Sequence, residues 1–265
     1  MYYFYSLNLT PVKHRYFLQL SFKGTNYHGW QVQSNATSVQ MIVNKTLTTV
    51  LKKDTKAIGA GRTDTGVHAS FYIAHFDSEK SFGDENARIK LLNSLNAILP
   101  YDISVTDIYE VSPEAHARYS AIKRTYEYTI ISEKNPFMND LAWYISRKLD
   151  LQQMNQCAAL LLQYHDFTSF SRLHSDSKTN LCRIYEAYWT DSQGKMVFRI
   201  TADRFLRNMV RAIIGTMIDV GKGKIDSAGF QRIIENKDRG AAGASAPAKG
   251  LVLTNLEYPV DIKYT

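Results

Sequence analysis

One short stretch of this sequence combines a carboxylate, a guanidinium and hydroxyls in an order that could do chemistry: Gly61-Arg62-Thr63-Asp64-Thr65-Gly66. The segments on either side, residues 56–60 and 70–76, are strand-like, so we predict that Asp64 lies on a loop hinged by glycines. A loop aspartate is often only a turn-former that bonds its own backbone. Arg62 favours a functional carboxylate, because a nearby guanidinium stabilises the ionised form. Both interpretations of Asp64 stay open at this point.

Two other stretches hold candidate partners for this carboxylate. Arg211 is the one charged residue in the apolar run 209–218, inside a helix predicted over residues 205–220. It either extends to water along the helix edge or meets a buried carboxylate, for which Asp64 is the candidate. On a strand predicted over residues 122–131, Arg124, Tyr126 and Tyr128 share one face. The two rings either hold a nucleic-acid base by stacking or pack against a helix.

Several other chemistries find no support in the residues. Asp64-Thr65-Gly66 is also the tripeptide of aspartic proteases, but those enzymes need two carboxylates that share a proton. The chain has no second Asp-Thr-Gly or Asp-Ser-Gly, and Arg62 would oppose a shared proton. No phosphate-binding Walker loop, HExxH motif or zinc-deaminase spacing occurs. Cys157 and Cys182 are too few for a metal cluster, so we predict two reduced thiols, no metal and no cofactor.

Composition narrows the class of protein. The 265 residues are enough for one large domain or two small ones, and the net charge of +7 favours polyanionic partners. Seventeen tyrosines among the basic residues add rings that could stack on unpaired bases. No apolar run approaches the roughly 20 residues that span a bilayer, and no secretory signal is visible. We therefore expect a cytoplasmic protein that does not enter a membrane.

The periodicity of the chain predicts an α+β fold in two similar halves. After an irregular leader, the first half reads as strand, helix, two strands, helix, strand, in the manner of a split βαβ unit. The second half repeats this order with longer elements and ends in a short strand near residues 252–256. We therefore divide the chain into an N-terminal lobe, residues 1–112, which carries the Asp64 loop, and a C-terminal lobe, residues 113–265, which carries Tyr126 and Arg211.

Seven stretches together resemble one known family, the TruA family of tRNA pseudouridine synthases. The first is the motif around Asp64, residues 61–69, and the others follow in order along the chain. They are Gly29-Trp30-Gln31-Val32-Gln33, Leu95-Asn96 with Leu99-Pro100-Tyr101-Asp102-Ile103, His116-Ala117-Arg118 with Arg124-Thr125-Tyr126-Glu127-Tyr128, His165-Asp166-Phe167-Thr168-Ser169-Phe170, Phe205-Leu206-Arg207-Asn208-Met209-Val210-Arg211, and Ala246-Pro247-Ala248-Lys249-Gly250-Leu251. The departures are mild: Thr65 stands where Ala is common, Phe22 where Tyr is frequent and Ser245 where Thr is usual.

The resemblance implies both a fold and an activity. The fold would be the pseudouridine synthase fold, two related α+β lobes that share a continuous, mainly antiparallel sheet with a basic cleft. The protein would be a homodimeric isomerase that converts uridine to pseudouridine in the tRNA anticodon arm, at tRNA positions 38, 39 and 40, without metal or cofactor. Asp64 would be the catalytic carboxylate, Tyr126 the ring that stacks on the target base and Arg211 the partner of Asp64, while Arg62 would contact the flipped nucleotide or its phosphate. The alternative is a non-catalytic tRNA-binding or chaperone protein with the same fold.

Overall fold

The computed structural model describes residues 14–172 and 178–262, and the predicted leader lies outside this part of the chain. The described residues form nine strands and five α-helices. The strands are β1 (His14–Phe22), β2 (Ile58–Gly59), β3 (His68–Ser78), β4 (Ile103–Val111), β5 (Lys123–Ile131), β6 (Trp143–Tyr144), β7 (Ile184–Ser192), β8 (Lys195–Ala202) and β9 (Leu251–Glu257). The helices are α1 (Val39–Leu51), α2 (Glu85–Ile98), α3 (Leu151–Leu160), α4 (Met209–Gly221) and α5 (Ser227–Asn236).

All nine strands belong to one sheet. Its order is β4-β1-β3-β9-β5-β8-β7, with β2 beside β3 and β6 beside β5. The pairs are antiparallel except for β5 with β6 and for β3 with β9. The β3–β9 pair is also the junction between the two halves, and its parallel register joins His68 to Val252 and Ala69 to Leu253. The predicted α+β fold with a continuous, mainly antiparallel sheet is confirmed, and the division at residues 112 and 113 stays a prediction.

The apolar side chains form two cores that meet at β9 and β5. Leu253 and Leu256 of β9 belong to the core of the first half, whereas Leu251 belongs to that of the second. Tyr126 of β5 packs against both cores. A strand near the end of the chain therefore completes the sheet of the first half, and Tyr126 sits at the seam between the halves.

Local sequence signals place most of the helix starts. Ser38, Asp84, Asp150 and Asp226 each accept a hydrogen bond from a backbone N–H in the first turn of α1, α2, α3 and α5, as helix N-caps do. Helix α4 differs, since it begins at Met209 and not at residue 205. Asn208 before it has a φ of 67°, a left-handed conformation that a helix cannot continue through.

Helix α4 is apolar on nearly all sides because it lies inside the core of the second half, where eleven of its residues are buried. None of the helices within residues 14–172 and 178–262 is long and apolar enough to cross a bilayer.

Candidate active site

Asp64 lies on a tight turn between β2 and β3. The Val67 N–H donates to the Asp64 carbonyl at 3.1 Å, which closes the turn directly after the carboxylate. Gly66 inside it has a φ of +77°, a conformation that glycine adopts without strain. The carboxylate is therefore presented from a fixed backbone, as the glycines on either side of it predicted.

A second glycine-rich segment, between β1 and α1, supports this turn from outside. A Cβ on Gly24 would lie 2.0 Å from the Val67 carbonyl oxygen, and one on Gly29 would lie 2.1 Å from that of Thr63. The next residue, Trp30, donates its backbone N–H to the Thr63 hydroxyl at 3.0 Å. The two backbones are in direct contact, and only glycine permits this approach.

His68, which sequence reasoning did not single out, connects the turn to the C-terminal half. Its Nδ1 accepts the Gly24 N–H at 2.9 Å, so the ring proton is on Nε2, which donates to the Lys249 carbonyl at 3.1 Å. Burial lowers the pKa of His68, in agreement with a neutral ring. A buried histidine at the start of β3 is therefore a positioning residue, because it fixes the Asp64 turn against residues 248–250.

Helix α4 brings Arg211 to this turn. Its Nη1 donates to Asp64 Oδ2 at 3.1 Å, and its Nε donates to the Ala246 carbonyl at 2.8 Å. The segment that carries Ala246 lies against the helix, since a Cβ on Gly215 would stand 1.7 Å from the Ala244 carbonyl oxygen. The Arg211 and Asp64 side chains are 21% and 24% exposed. The pair is thus held by the fold and is still accessible to a ligand.

Tyr126 lies close to the same carboxylate. Burial and then the Asp64 charge raise the pKa of its phenol, so the ring is neutral at physiological pH. It is half-buried, and its edge meets the Phe205 ring with the centroids 5.4 Å apart. Tyr128 differs, because its ring is buried and its hydroxyl donates to the Pro247 carbonyl at 2.9 Å. Of the two tyrosines considered for base stacking, Tyr128 is a core residue and Tyr126 is the one at the site.

The structure places Arg62 on the exposed side of the Asp64 turn. There it forms part of the wall of a neighbouring cavity of about 190 Å³, together with Gly61 and residues of the segment between β4 and β5. Asp64, Arg211 and Tyr126 are therefore brought together around one point, and Arg62 borders an adjoining space.

Other basic residues considered for phosphate binding are engaged within the protein. Lys23 pairs with Asp140 at 2.9 Å and Lys123 with Glu257 at 2.8 Å. The Arg124 guanidinium donates to the carbonyls of Ala121, Asp203 and Arg118. Arg172 is exposed. The structure thus gives Arg124 a clamping role in the fold, which its position on the strand could not reveal.

Within the described ranges, no three histidine, cysteine or acidic side chains are grouped so that they could hold a metal ion. Cys157 and Cys182 are both free and buried, which confirms the predicted reduced thiols. Burial raises the pKa of each thiol to about 12. Neither thiol is therefore an ionised nucleophile at neutral pH.

The chain is similar to known proteins along most of its length. The family model described as tRNA pseudouridine synthase matches residues 158–259. A tRNA pseudouridine synthase A from Bacteroides thetaiotaomicron is 51% identical over 251 residues, which cover 94% of this chain and 92% of that protein. Proteins of the same name from Bacteroides fragilis and Porphyromonas gingivalis are 51% and 50% identical, each over 94% of this chain and 98% of their own length. A solved Cas6-RT-Cas1–Cas2 complex overlaps 96% of this chain and 47% of its own, with 11% identity and a TM-score of 0.23, a likeness too low to carry an argument.

Proposed function

Because this chain belongs to the TruA family of tRNA pseudouridine synthases, we propose that it isomerises uridine to pseudouridine in the anticodon arm of tRNA, at positions 38, 39 and 40. The observation that carries the proposal is the Asp64–Arg211 pair, which lies beside Tyr126 at the seam between the two cores. An acid held by a cation next to a neutral ring is suited to a reaction on an extruded base.

The reaction rearranges the nucleoside and adds no net atoms. The bond from N1 to C1′ breaks, the uracil turns, and a bond forms from C5 to C1′. The hydrogen on C5 leaves to solvent and N1 takes up a proton, so substrate and product are isomers. No oxidant is needed, and a carboxylate that acts as nucleophile or general base supplies the required chemistry. In our proposal that carboxylate is Asp64.

Arg211 and Tyr126 would prepare the site for this step. The two hydrogen bonds of the Arg211 guanidinium, one to Asp64 and one to Ala246, fix the direction of the carboxylate before substrate arrives. Extrusion of the target base costs a few kcal/mol. Stacking on Tyr126, at about 1–3 kcal/mol, offsets part of that cost. Arg62, at the edge of the same turn, would hold the extruded nucleotide by its phosphate.

Family membership also supports finer proposals about the whole protein. We propose that it is a cytoplasmic homodimer, which light scattering of the purified chain would test directly. The net charge of +7 supports a tRNA partner, because a basic surface gains affinity for nucleic acid through counterion release. The two lobes, residues 1–112 and 113–265, would each contribute one wall of the cleft that holds the RNA.

Tritium release from tRNA that carries 5-³H-uridine tests the activity, because the hydrogen on C5 is lost when the new bond forms. We expect Asp64→Asn to bind tRNA and release no tritium. The matched control is Asp77→Asn, which removes another ion-paired carboxylate, one held by Arg15 at 2.7 Å, and should release tritium normally. Equal release by wild type and Asp64→Asn would rule out Asp64 as the catalyst. A wild-type protein that binds tRNA and never releases tritium would be the non-catalytic alternative.

A further inference from the structure

The cavity beside Arg62 has a composition suited to a nucleotide. Its wall includes Arg62 from the Asp64 turn and His116, Arg118 and Tyr119 from the segment between β4 and β5. Among the described residues, this wall has two arginines and neither Asp nor Glu. Its volume of about 190 Å³ is below the roughly 300–1,000 Å³ of pockets that enclose a whole small ligand. The cavity therefore suits one group of a longer, anionic molecule.

Tyr119 is built as a stacking surface at the edge of this cavity. It is 75% exposed, yet its ring lies 4.4 Å from the His116 ring, and the Arg118 guanidinium lies 5.7 Å from its centroid. The His116 Nδ1 accepts the backbone N–H groups of Arg118 and Tyr119 at 3.0 and 3.3 Å. An exposed tyrosine that is already ordered loses little side-chain entropy when a ligand stacks on it.

The segment that carries Tyr119 is fixed to the sheet by buried groups. Its Ala117 donates a backbone N–H to His75 Nδ1 at 3.1 Å and accepts a hydrogen bond from the Tyr258 hydroxyl. The Arg118 carbonyl accepts from Arg124 at 2.7 Å. These anchors hold the segment in place next to the Asp64 turn. They give the Arg124 clamp a purpose that the catalytic residues do not explain.

We propose that this cavity is a second nucleotide subsite, which takes the nucleotide next to the target uridine. Tyr119 stacks on its base, and Arg62 and Arg118 hold its phosphate. Arg62 is two residues from Asp64, so at most about 7 Å of backbone separates them, a distance on the scale of one step along an RNA strand. The inference rests on the proposed function, since it takes the Asp64–Arg211 pair as the place of the target base.

The test is a double-mutant cycle between Tyr119 and the neighbouring base. An RNA stem-loop with the target uridine is made intact, or abasic at the nucleotide immediately 5′ or 3′ of that uridine. Dissociation constants are measured by fluorescence anisotropy for wild type, Tyr119→Ala and Tyr119→Phe. The matched control is Tyr185→Ala, which removes another exposed tyrosine with an arginine over its ring, Arg183 at 5.2 Å, on β7.

In wild type, one of the two abasic positions should weaken binding by roughly 5- to 150-fold, the range of one stacked base. In Tyr119→Ala the same abasic position should cost less than about 2-fold, because the stacking partner is already gone. Tyr119→Phe and Tyr185→Ala should behave as wild type. Circular dichroism checks that each variant is folded, and Tyr119→Phe reports on the ring without removing it.

The inference is overturned if both abasic positions cost Tyr119→Ala as much as wild type, or if Tyr119→Ala and Tyr185→Ala bind the intact stem-loop equally well. Failure of the proposed function gives a different result. In that case wild type forms no pseudouridine in the intact stem-loop, as measured by tritium release, whatever the anisotropy cycle shows.

Discussion

Replacement of Arg211 by methionine tests whether a guanidinium prepares the Asp64 carboxylate for reaction. The side chain keeps its length and apolar stem, so the packing of α4 should survive, while the 3.1 Å contact to Asp64 is lost. Two unit charges about 4 Å apart attract by about 1 kcal/mol in bulk water and about 4 kcal/mol at an effective dielectric constant of 20. Because both side chains are mostly buried, the upper half of that range applies, about 2–4 kcal/mol.

We expect this energy to appear in the rate of reaction and not in the affinity for tRNA. Without its partner, the carboxylate turns toward water and must be directed again in each encounter. A loss of about 2–4 kcal/mol corresponds to a roughly 30- to 900-fold slower single-turnover tritium release. Arg211→Lys should fall between methionine and wild type, because an ammonium keeps the charge but cannot reproduce the fixed fork that reaches both Asp64 and Ala246.

The matched control for the lost charge is Arg199→Met. Arg199 pairs with Glu127 and Glu186 at 2.7 and 2.6 Å, and alternation along β5 puts Glu127 on the face of the sheet opposite to Tyr126. Its tritium release should stay at the wild-type level. If Arg211→Met turns over within about threefold of wild type, or slows only as far as tRNA binding weakens, the ion pair does not prepare the carboxylate and the reasoning is refuted.

Three further measurements address the rest of the molecule. Tyr126→Ala should bind tRNA about 5- to 150-fold more weakly and Tyr126→Phe normally; equal anisotropy titrations would remove the stacking role. Affinity for tRNA should fall linearly on a log–log plot against salt, by about 0.7–0.9 per phosphate contact; a flat response would exclude such contacts. Burial lowers the pKa of His75 to about 4, so the stability of its neutral ring is complete above the unfolded pKa of about 6.5 and lost toward pH 4, about 3 kcal/mol in all. In urea unfolding, His75→Asn should flatten that decline, and an unchanged slope would contradict it.

The regular elements follow from local patterns, and the structure agrees with them closely. Tyr16, Leu18, Leu20 and Phe22 alternate in the sequence and are all buried along β1. The caps also follow from single residues, since Ser38 was one of two candidates for the start of α1 and is the one that accepts a backbone hydrogen bond. Such signals act over a few residues, so they can be recognised without knowledge of the fold.

Other features depend on contacts between distant parts of the chain and could not be foreseen. Strand β2 is only two residues long, because Gly59 lies where a Cβ would meet the Trp30 and Tyr72 rings within 2.5 Å. Periodicity describes β9 as a strand but says nothing about its place in the middle of the sheet. The roles of His68 and Tyr119 likewise depend on partners far away in sequence, and both were missed.

The junction at β9 has a consequence for how the protein is made. His68 at the start of β3 and Lys249 just before β9 are 181 residues apart, an interval that a ribosome takes roughly 10 to 40 s to translate at about 5–20 residues per second. The first half of the sheet must wait that long for its central neighbour, and Arg211 has no fixed seat until residues 244–248 close over α4. A nascent or prematurely ended polypeptide would therefore lack an assembled cleft, so catalytic competence arrives only at the close of synthesis.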